Sequence, residues 1–295
     1  LAQQGLQCVV IEANAAPGNI PNGEGLNDWD RRVSAVTPAS QQLLDRVGAW
    51  QAMAERRVSP YDRMAVWDAQ GTGDITFTGA ELAVDQLGHI VENRVTVSAL
   101  LRLAEADRRI TLLWRDAITA IEGGGEEAVT VVTEGGIECS APLLIGADGA
   151  RSSVREQLGF QTRAWSYHQR ALVATIALAG EHQQTCYQAF LPTGPLALLP
   201  LSEPNLCSIV WSIDEQHSEA HESLNEPQFI AALNRALNGR APNVVACSER
   251  AAFPLHQCHA VDYIQQRVAL VADAGHAIHP LAGQGINLGL ADIRA

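Results

Sequence analysis

The chain has 295 residues, 47% apolar and 18% charged, a globular balance that excludes a disordered or fibrous protein and has room for about two domains. Acidic residues outnumber basic ones 33 to 20, a formal net charge of -13, which argues against a nucleic-acid footprint or a polybasic membrane patch. All 20 basic residues are arginine, so lysine Schiff-base chemistry, a pyridoxal phosphate anchor and a lysine-bearing phosphate loop are excluded within this chain.

The opening LAQQGL predicts the end of a helix, then a strand at Cys8-Val9-Val10-Ile11 that closes on Glu12. A short apolar run between turn residues fits a parallel strand buried on both faces. Residues 14–30 carry Gly, Pro, Asn and Asp at loop density. Thr37-Pro38 opens a single helix over 38–56, with Leu43, Leu44, Val47, Trp50 and Met53 at helical spacing. Residues 65–68 and 75–78 flank Gly71-Thr72-Gly73 and predict a β-hairpin; 95–107 returns to helix. Four strands are expected at 110–114, 117–122, 128–133 and 143–148, with the glycine run 123–125 as a tight connection. From 165 to 260 the pattern is antiparallel sheet: strands at 170–178, 185–191, 196–201, 206–213 and 244–253, with a helix near 229–237. A last strand at 267–272 leads into a Gly-rich loop and a helix.

Parallel-type strands at the start, near 143 and near 268, with antiparallel material between them, predict an α/β fold. The expected architecture is a Rossmann-like parallel sheet interrupted by an antiparallel-sheet substrate domain. Residues 1–64, 95–164 and 261–295 are assigned to the first part, and 65–94 and 165–260 to the second. The six cysteines form no C-x-x-C pair and are expected to be buried, reduced thiols. No 18-residue apolar stretch and no signal peptide is visible. The chain lacks an initiator Met and both ends fall inside helical patterns, so it is expected to be the middle of a longer protein.

Three constellations carry chemistry. Glu12 ends a strand where a dinucleotide-binding unit places the acid that meets ribose hydroxyls; an acid there by chance is the competing reading. In GADGARSSVR (146–155) a strand runs into Asp148 and Gly149 and then a helix, which fits either a nucleotide corner with phosphate at the helix start or an Asx-capped turn. In 271–288 a strand ends near Asp273, before a Gly- and Pro-rich loop and a helix whose first N–H groups, from Gly285 to Asn287, can stabilise negative charge. His256, Cys258, His259, His276 and His279 lie close in sequence, but their spacing and the adjoining Pro280 make a zinc site the weaker reading, and none is expected.

Glu12, the 146–155 stretch and ADAGHAIHPLAGQGINLGLAD (272–292), in that order and spacing, resemble the aromatic-hydroxylase class of FAD-dependent monooxygenases, whose fold is that of para-hydroxybenzoate hydroxylase. Within that class, segments 31–50, 61–77, 87–95 and 200–213 resemble the ubiquinone-biosynthesis hydroxylases, closest to the 2-polyprenylphenol 6-hydroxylase branch. The resemblance implies FAD as cofactor and NAD(P)H as co-substrate. It implies that Glu12 binds the adenosine ribose, Arg32 the FAD phosphates, and Asp148 and Gly149 both FAD and the nicotinamide donor. Asp273 would hold the ribityl chain, and the stretch from Pro280 through Gly283, Gly285 and Ile286 to Asn287 would line the flavin ring. Ala272 departs from the glycine that the family usually has before that aspartate.

The implied activity is ring hydroxylation of a prenylated phenol in ubiquinone biosynthesis, with reduced flavin and O₂ supplying the oxygen and the 171–213 strands walling an apolar pocket. No residue is nominated as general base. A hydroxylase of another aromatic substrate, a reductase that never hydroxylates, and a non-catalytic assembly member are the alternatives. A ubiquinone-biosynthesis complex and a homo-oligomer are the partners the resemblance suggests, in the cytoplasm or at the periphery of the inner membrane. With no glycine loop ahead of Glu12, this chain alone is expected to hold FAD poorly and to leave unpaired edges beside 9–11 and 143–145.

Overall fold

The computed structural model describes residues 1–122, 128–279 and 285–294. The glycine run at 123–125, Pro280 and Gly283 lie outside the described residues. A nine-stranded sheet forms the centre, in the order His276–Ala277, Ala251–Ala260, Thr162–Leu178, Leu206–Asp214, Gly194–Pro200, Thr185–Leu191, Arg63–Asp68 and Asp74–Thr78, with Val244–Cys247 also paired to Thr162–Leu178. The predicted hairpin is present and joins this sheet through a parallel pairing of Arg63–Asp68 with Thr185–Leu191.

Strand alternation gives the sheet two apolar faces. One carries Leu172, Ala174, Ile176, Leu198 and Ile209, and is covered by the helix Glu226–Leu237 through Phe229 and Leu233. That helix is well specified: Asn225 and Gln228 form a capping box, and Asn238 ends it in the left-handed region. Full burial of Phe229 and Leu233 contributes about 1.5–3 kcal/mol each. On the other face, Ala197 and Leu199 meet Trp29, Ala35, Tyr61 and Ile90. These last come largely from a small antiparallel sheet of Val33–Val36, Gly88–Glu92 and Ser59–Tyr61.

The strand Gly88–Glu92, assigned from the sequence to the substrate domain, therefore pairs with strands of the 1–64 segment. The helix expected over 38–56 is two helices, Pro38–Val47 and Trp50–Arg56, because Gly48 adopts φ 90° and caps the first. Its predicted start holds: Thr37 Oγ1 accepts from the Ser40 N–H. A strand at Glu138–Ala141 was not expected, and Thr162–Leu178 begins eight residues early, where TRAWSYHQ lacks an apolar alternation to announce it.

The parallel strands also differ from expectation. Cys8–Glu12 pairs in parallel with Ile110–Trp114, and Leu144–Gly146 with Val268–Leu270, but the two pairs belong to separate sheets. Val9 and Val10 are 50% and 47% exposed instead of buried, since their strand has one neighbour and no covering layer among the described residues. The last strand stops at Leu270, short of 272, because Ala272 turns into the left-handed region at φ 51°. Among the described residues the six cysteines are unpaired thiols, and no helix is long and apolar enough to cross a membrane.

Candidate active site

Two corners meet at the ends of the paired strands Leu144–Gly146 and Val268–Leu270. They are stitched together: Val271 N–H donates to the Gly146 carbonyl at 3.0 Å. Arg155 donates to the Ala274 carbonyl at 2.7 Å and to the Ala150 carbonyl at 2.8 Å, one guanidinium spanning both. Gly146 has no room for a side chain, since a Cβ there would lie 2.8 Å from Leu270 Cδ2.

In the first corner, Asp148 Oδ2 accepts from the Val154 N–H at 3.0 Å and from Ser153 Oγ at 3.2 Å, and Gly149 takes φ 78° to make the turn. Ser152 Oγ accepts from the Arg155 N–H at 2.9 Å and caps the helix Ser153–Gln157. The helix has five residues, and two of its first N–H groups are already bonded. The Asx-capped geometry read from the sequence is present at this corner, and it engages the Val154 and Arg155 N–H groups.

The second corner holds its aspartate open. Ala272 donates its N–H to Asp292 Oδ2 at 2.7 Å, and the same oxygen pairs with His276 Nε2 at 2.7 Å. Asp292 lies on the helix Gly285–Arg294, which approaches Ala272 so closely that a Cβ on Gly289 would meet Ala272 Cβ at 2.6 Å. Asp273, between the clamped residues, is exposed, and its carboxylate has no partner among the described residues. An ionised carboxylate that accepts nothing from the protein is an open acceptor for a polyol's hydroxyls.

Asn287 anchors the same helix. Its Oδ1 accepts from the Thr37 N–H at 3.0 Å and its Nδ2 donates to the Ala35 carbonyl at 2.7 Å. The side chain thus fixes the helix start against Val33–Val36, and Gly285 and Ile286 occupy its first turn. At the far end of that strand, the exposed guanidinium of Arg32 has no partner among the described residues. Its backbone is held by Asp30 Oδ1, which accepts from the Arg32 N–H at 3.0 Å. Behind it lies a network unforeseen from the sequence: Glu92, 2% exposed, accepts from the Asp30 N–H at 2.7 Å and pairs with Arg57 and Arg94, both at 2.7 Å. Glu12 Oε1 accepts from the N–H and the Nδ2 of Asn14, at 2.8 and 2.7 Å.

A polar cluster joins the loop after His276–Ala277 to the large sheet. His279 Nε2 lies 3.2 Å from Gln169 Oε1, and its ring stands edge-on to Tyr167 at 4.9 Å between centroids. Tyr167 donates to Gln257 Oε1, and Gln169 Nε2 donates to Asp214 Oδ1 at 3.2 Å. Burial holds the His279 imidazole below its usual pKa. The two histidines of the suspected metal pair serve different partners, His276 with Asp292 and His279 with Gln169. No group of three or more metal-ligating side chains occurs among the described residues.

Asp292 and Glu92 lie outside the expected site residues although each stands within a segment given above, 272–292 and 87–95. The signal available was an acid inside an otherwise apolar or small-residue run, which must be partnered if it is buried. The open carboxylate of Asp273 suits hydroxyl groups and the open guanidinium of Arg32 suits phosphates, and FAD carries both.

Comparison with known proteins agrees. Residues 1–295 match the family described as FAD binding domain. The chain is 35% identical to the ubiquinone biosynthesis monooxygenase COQ6 of Xenopus tropicalis, over 90% of this chain and 66% of that protein. It is also 35% identical to the 3-demethoxyubiquinol 3-hydroxylase of Escherichia coli, over 100% of this chain and 73% of that protein. The chain spans just under two thirds of the frog and human COQ6 proteins, 66% and 65%. Among solved structures, the p-nitrophenol 4-monooxygenase PnpA of Pseudomonas putida superposes with a TM-score of 0.75 at 19% identity, covering 99% of this chain and 72% of that one. Klebsiella pneumoniae HpxO, complexed with FAD and uric acid, gives 0.68 at 19%, covering 98% and 78%. The fold is thus that of these proteins, and the chain belongs to the FAD binding domain family, with ubiquinone-biosynthesis hydroxylases among its relatives.

Proposed function

We propose that the full-length protein is a flavin-dependent monooxygenase that hydroxylates the ring of a prenylated phenol in ubiquinone biosynthesis, with FAD as cofactor and NAD(P)H and O₂ as co-substrates. The observation that carries this reading is the second corner, where Asp292 restrains Ala272 and His276 and leaves the Asp273 carboxylate open to a ligand. Asp273 and Arg32 supply a ribityl and a phosphate contact, Gly285 and Ile286 present the first turn of a helix to the flavin, and Glu12 meets the ribose by exchanging its Asn14 bonds. Asp148 and Gly149 shape the adjoining corner for FAD and the nicotinamide donor. When bound, FAD supplies hydride acceptance and oxygen transfer; the protein orients it, excludes water and binds the phenol. Pro280 and Gly283 belong to the flavin-lining stretch in this reading.

The test uses purified full-length protein. Flavin absorbance, NAD(P)H oxidation that depends on a prenylated phenol, and recovery of its hydroxylated product support the reading. NAD(P)H oxidation that yields hydrogen peroxide alone would make the protein a reductase, and a preparation that takes up no flavin would leave the assembly role.

A further inference from the structure

The Thr162–Leu178 strand breaks its register where it passes His279. Against Ala251–Ala260, Ser166 pairs with His256 and Gln169 with Leu255, which leaves Tyr167 and His168 as a bulge. His168 sits at φ 53°, left-handed for a non-glycine residue, with an 83% exposed side chain. Bulges and strained residues of this kind recur where a strand must aim side chains at a site. Tyr167, in the bulge, and Gln169, just past it, converge on one imidazole. Gly194 leaves the space for the Gln169 amide, since a Cβ there would lie 3.2 Å from Gln169 Nε2.

The hydrogen bonds set the tautomer. Asp214 accepts, so Gln169 must turn its NH₂ toward it and its Oε1 toward His279. An amide oxygen can only accept, so His279 carries its hydrogen on Nε2 and its lone pair on Nδ1. That Nδ1 is buried and has no partner among the described residues. A buried acceptor without a donor is destabilising, and a bound hydroxyl would supply the missing hydrogen bond. Asp214, behind Gln169, is the charged group on the sheet side, and Tyr167 is the other titratable neighbour. Glu215 lies 3.8 Å from His168, on the exposed side of the bulge.

We propose that His279 is the general base of the hydroxylation, taking the phenolic proton of the substrate at Nδ1; this rests on the hydroxylase reading above. The phenol O–H bond breaks and an Nδ1–H bond forms, so that neutral phenol and neutral imidazole become phenolate and imidazolium. The electron pair left on oxygen raises the nucleophilicity of the ring carbon that is hydroxylated. Asp214 stabilises the imidazolium through Gln169, and the proton returns to solvent after turnover.

The test uses full-length, FAD-loaded protein with 4-nitrophenol as probe, whose anion alone absorbs in the visible. His279→Ala should raise the pH at which the bound probe ionises by about one unit and lower kcat for hydroxylation about 100-fold, with flavin content unchanged. Gln169→Leu, which frees the tautomer, should shift the same ionisation in the same direction and lower kcat about 10-fold. Probe ionisation at the wild-type pH in either variant would overturn the assignment of His279, and in Gln169→Leu it decides the matter even if His279→Ala does not fold. Absence of prenylated-phenol hydroxylation by the wild-type protein would instead overturn the functional reading on which it rests.

Discussion

Asp148 and Asp273 each stand just past the end of one of two paired parallel strands, and their carboxylates do opposite work. Asp148, though exposed, is bound to the scaffold: it accepts from the Val154 N–H in the first turn of a five-residue helix. Asp273 accepts nothing from the described protein, because Asp292, on a different element, takes over the task of restraining its loop. Two strand–Asp–turn–helix corners that look alike in sequence thus separate into one that completes the scaffold and one kept available. The distinction lies in who satisfies the backbone: where a third residue does so, the aspartate is released for a ligand.

The sharpest way to break this contrast is to remove that third residue. Asp292→Ala leaves the Ala272 N–H and His276 without their acceptor, and denaturant unfolding should show a loss of about 3 kcal/mol. A loss below about 1 kcal/mol would mean that the clamp does not hold the corner. Asp273→Ala should weaken FAD binding to the full-length protein by about 1–3 kcal/mol, with an unchanged melting temperature. Flavin titration and a melting curve on the same variant separate the two effects, and equal flavin affinity would remove Asp273 from the site. Asp148→Ala should show the reverse, losing about 1 kcal/mol of stability as a cap is lost, with a smaller effect on flavin affinity than Asp273→Ala. The smallest effect sharpens the comparison at one methyl group. Ala272→Gly should stabilise the chain by about 0.5–1 kcal/mol, because it relieves a left-handed alanine, and an unchanged unfolding midpoint would show that no strain is stored there.

Much of this was legible from the residues. Glu12, Asp148 and Asp273 announce themselves because each follows a short apolar run and adjoins turn residues. The helix start at Thr37-Pro38 and the hairpin around Gly71 follow from local chemistry alone. What was not legible depends on distant partners or on single backbone angles. The 38–56 helix breaks at Gly48 because a glycine in that pattern can either continue a helix or cap it, and only the packing around it decides. The role of Asp292 is invisible because its partners lie 20 and 16 residues away. The bonds that the Asn287 amide makes to Thr37 and Ala35, some 250 residues earlier, leave no trace in the local sequence. The Tyr167 bulge gives no signal, since polar and aromatic residues in a strand do not reveal where the register will slip.

Between Ala272 and Gly289 there is space for one methyl group. With Ala272 in place a methyl on Gly289 would lie 2.6 Å from it, so the two residues draw on a single shared volume. The alanine before Asp273 and the glycine on the facing helix are therefore best understood as one choice made twice. A substitution at either site has no fixed effect of its own; its sign and size are set by the occupant of the other. Because that shared volume adjoins the residue expected to meet the ribityl chain, a change of one carbon on the helix would be felt, through Ala272, in the placement of the cofactor.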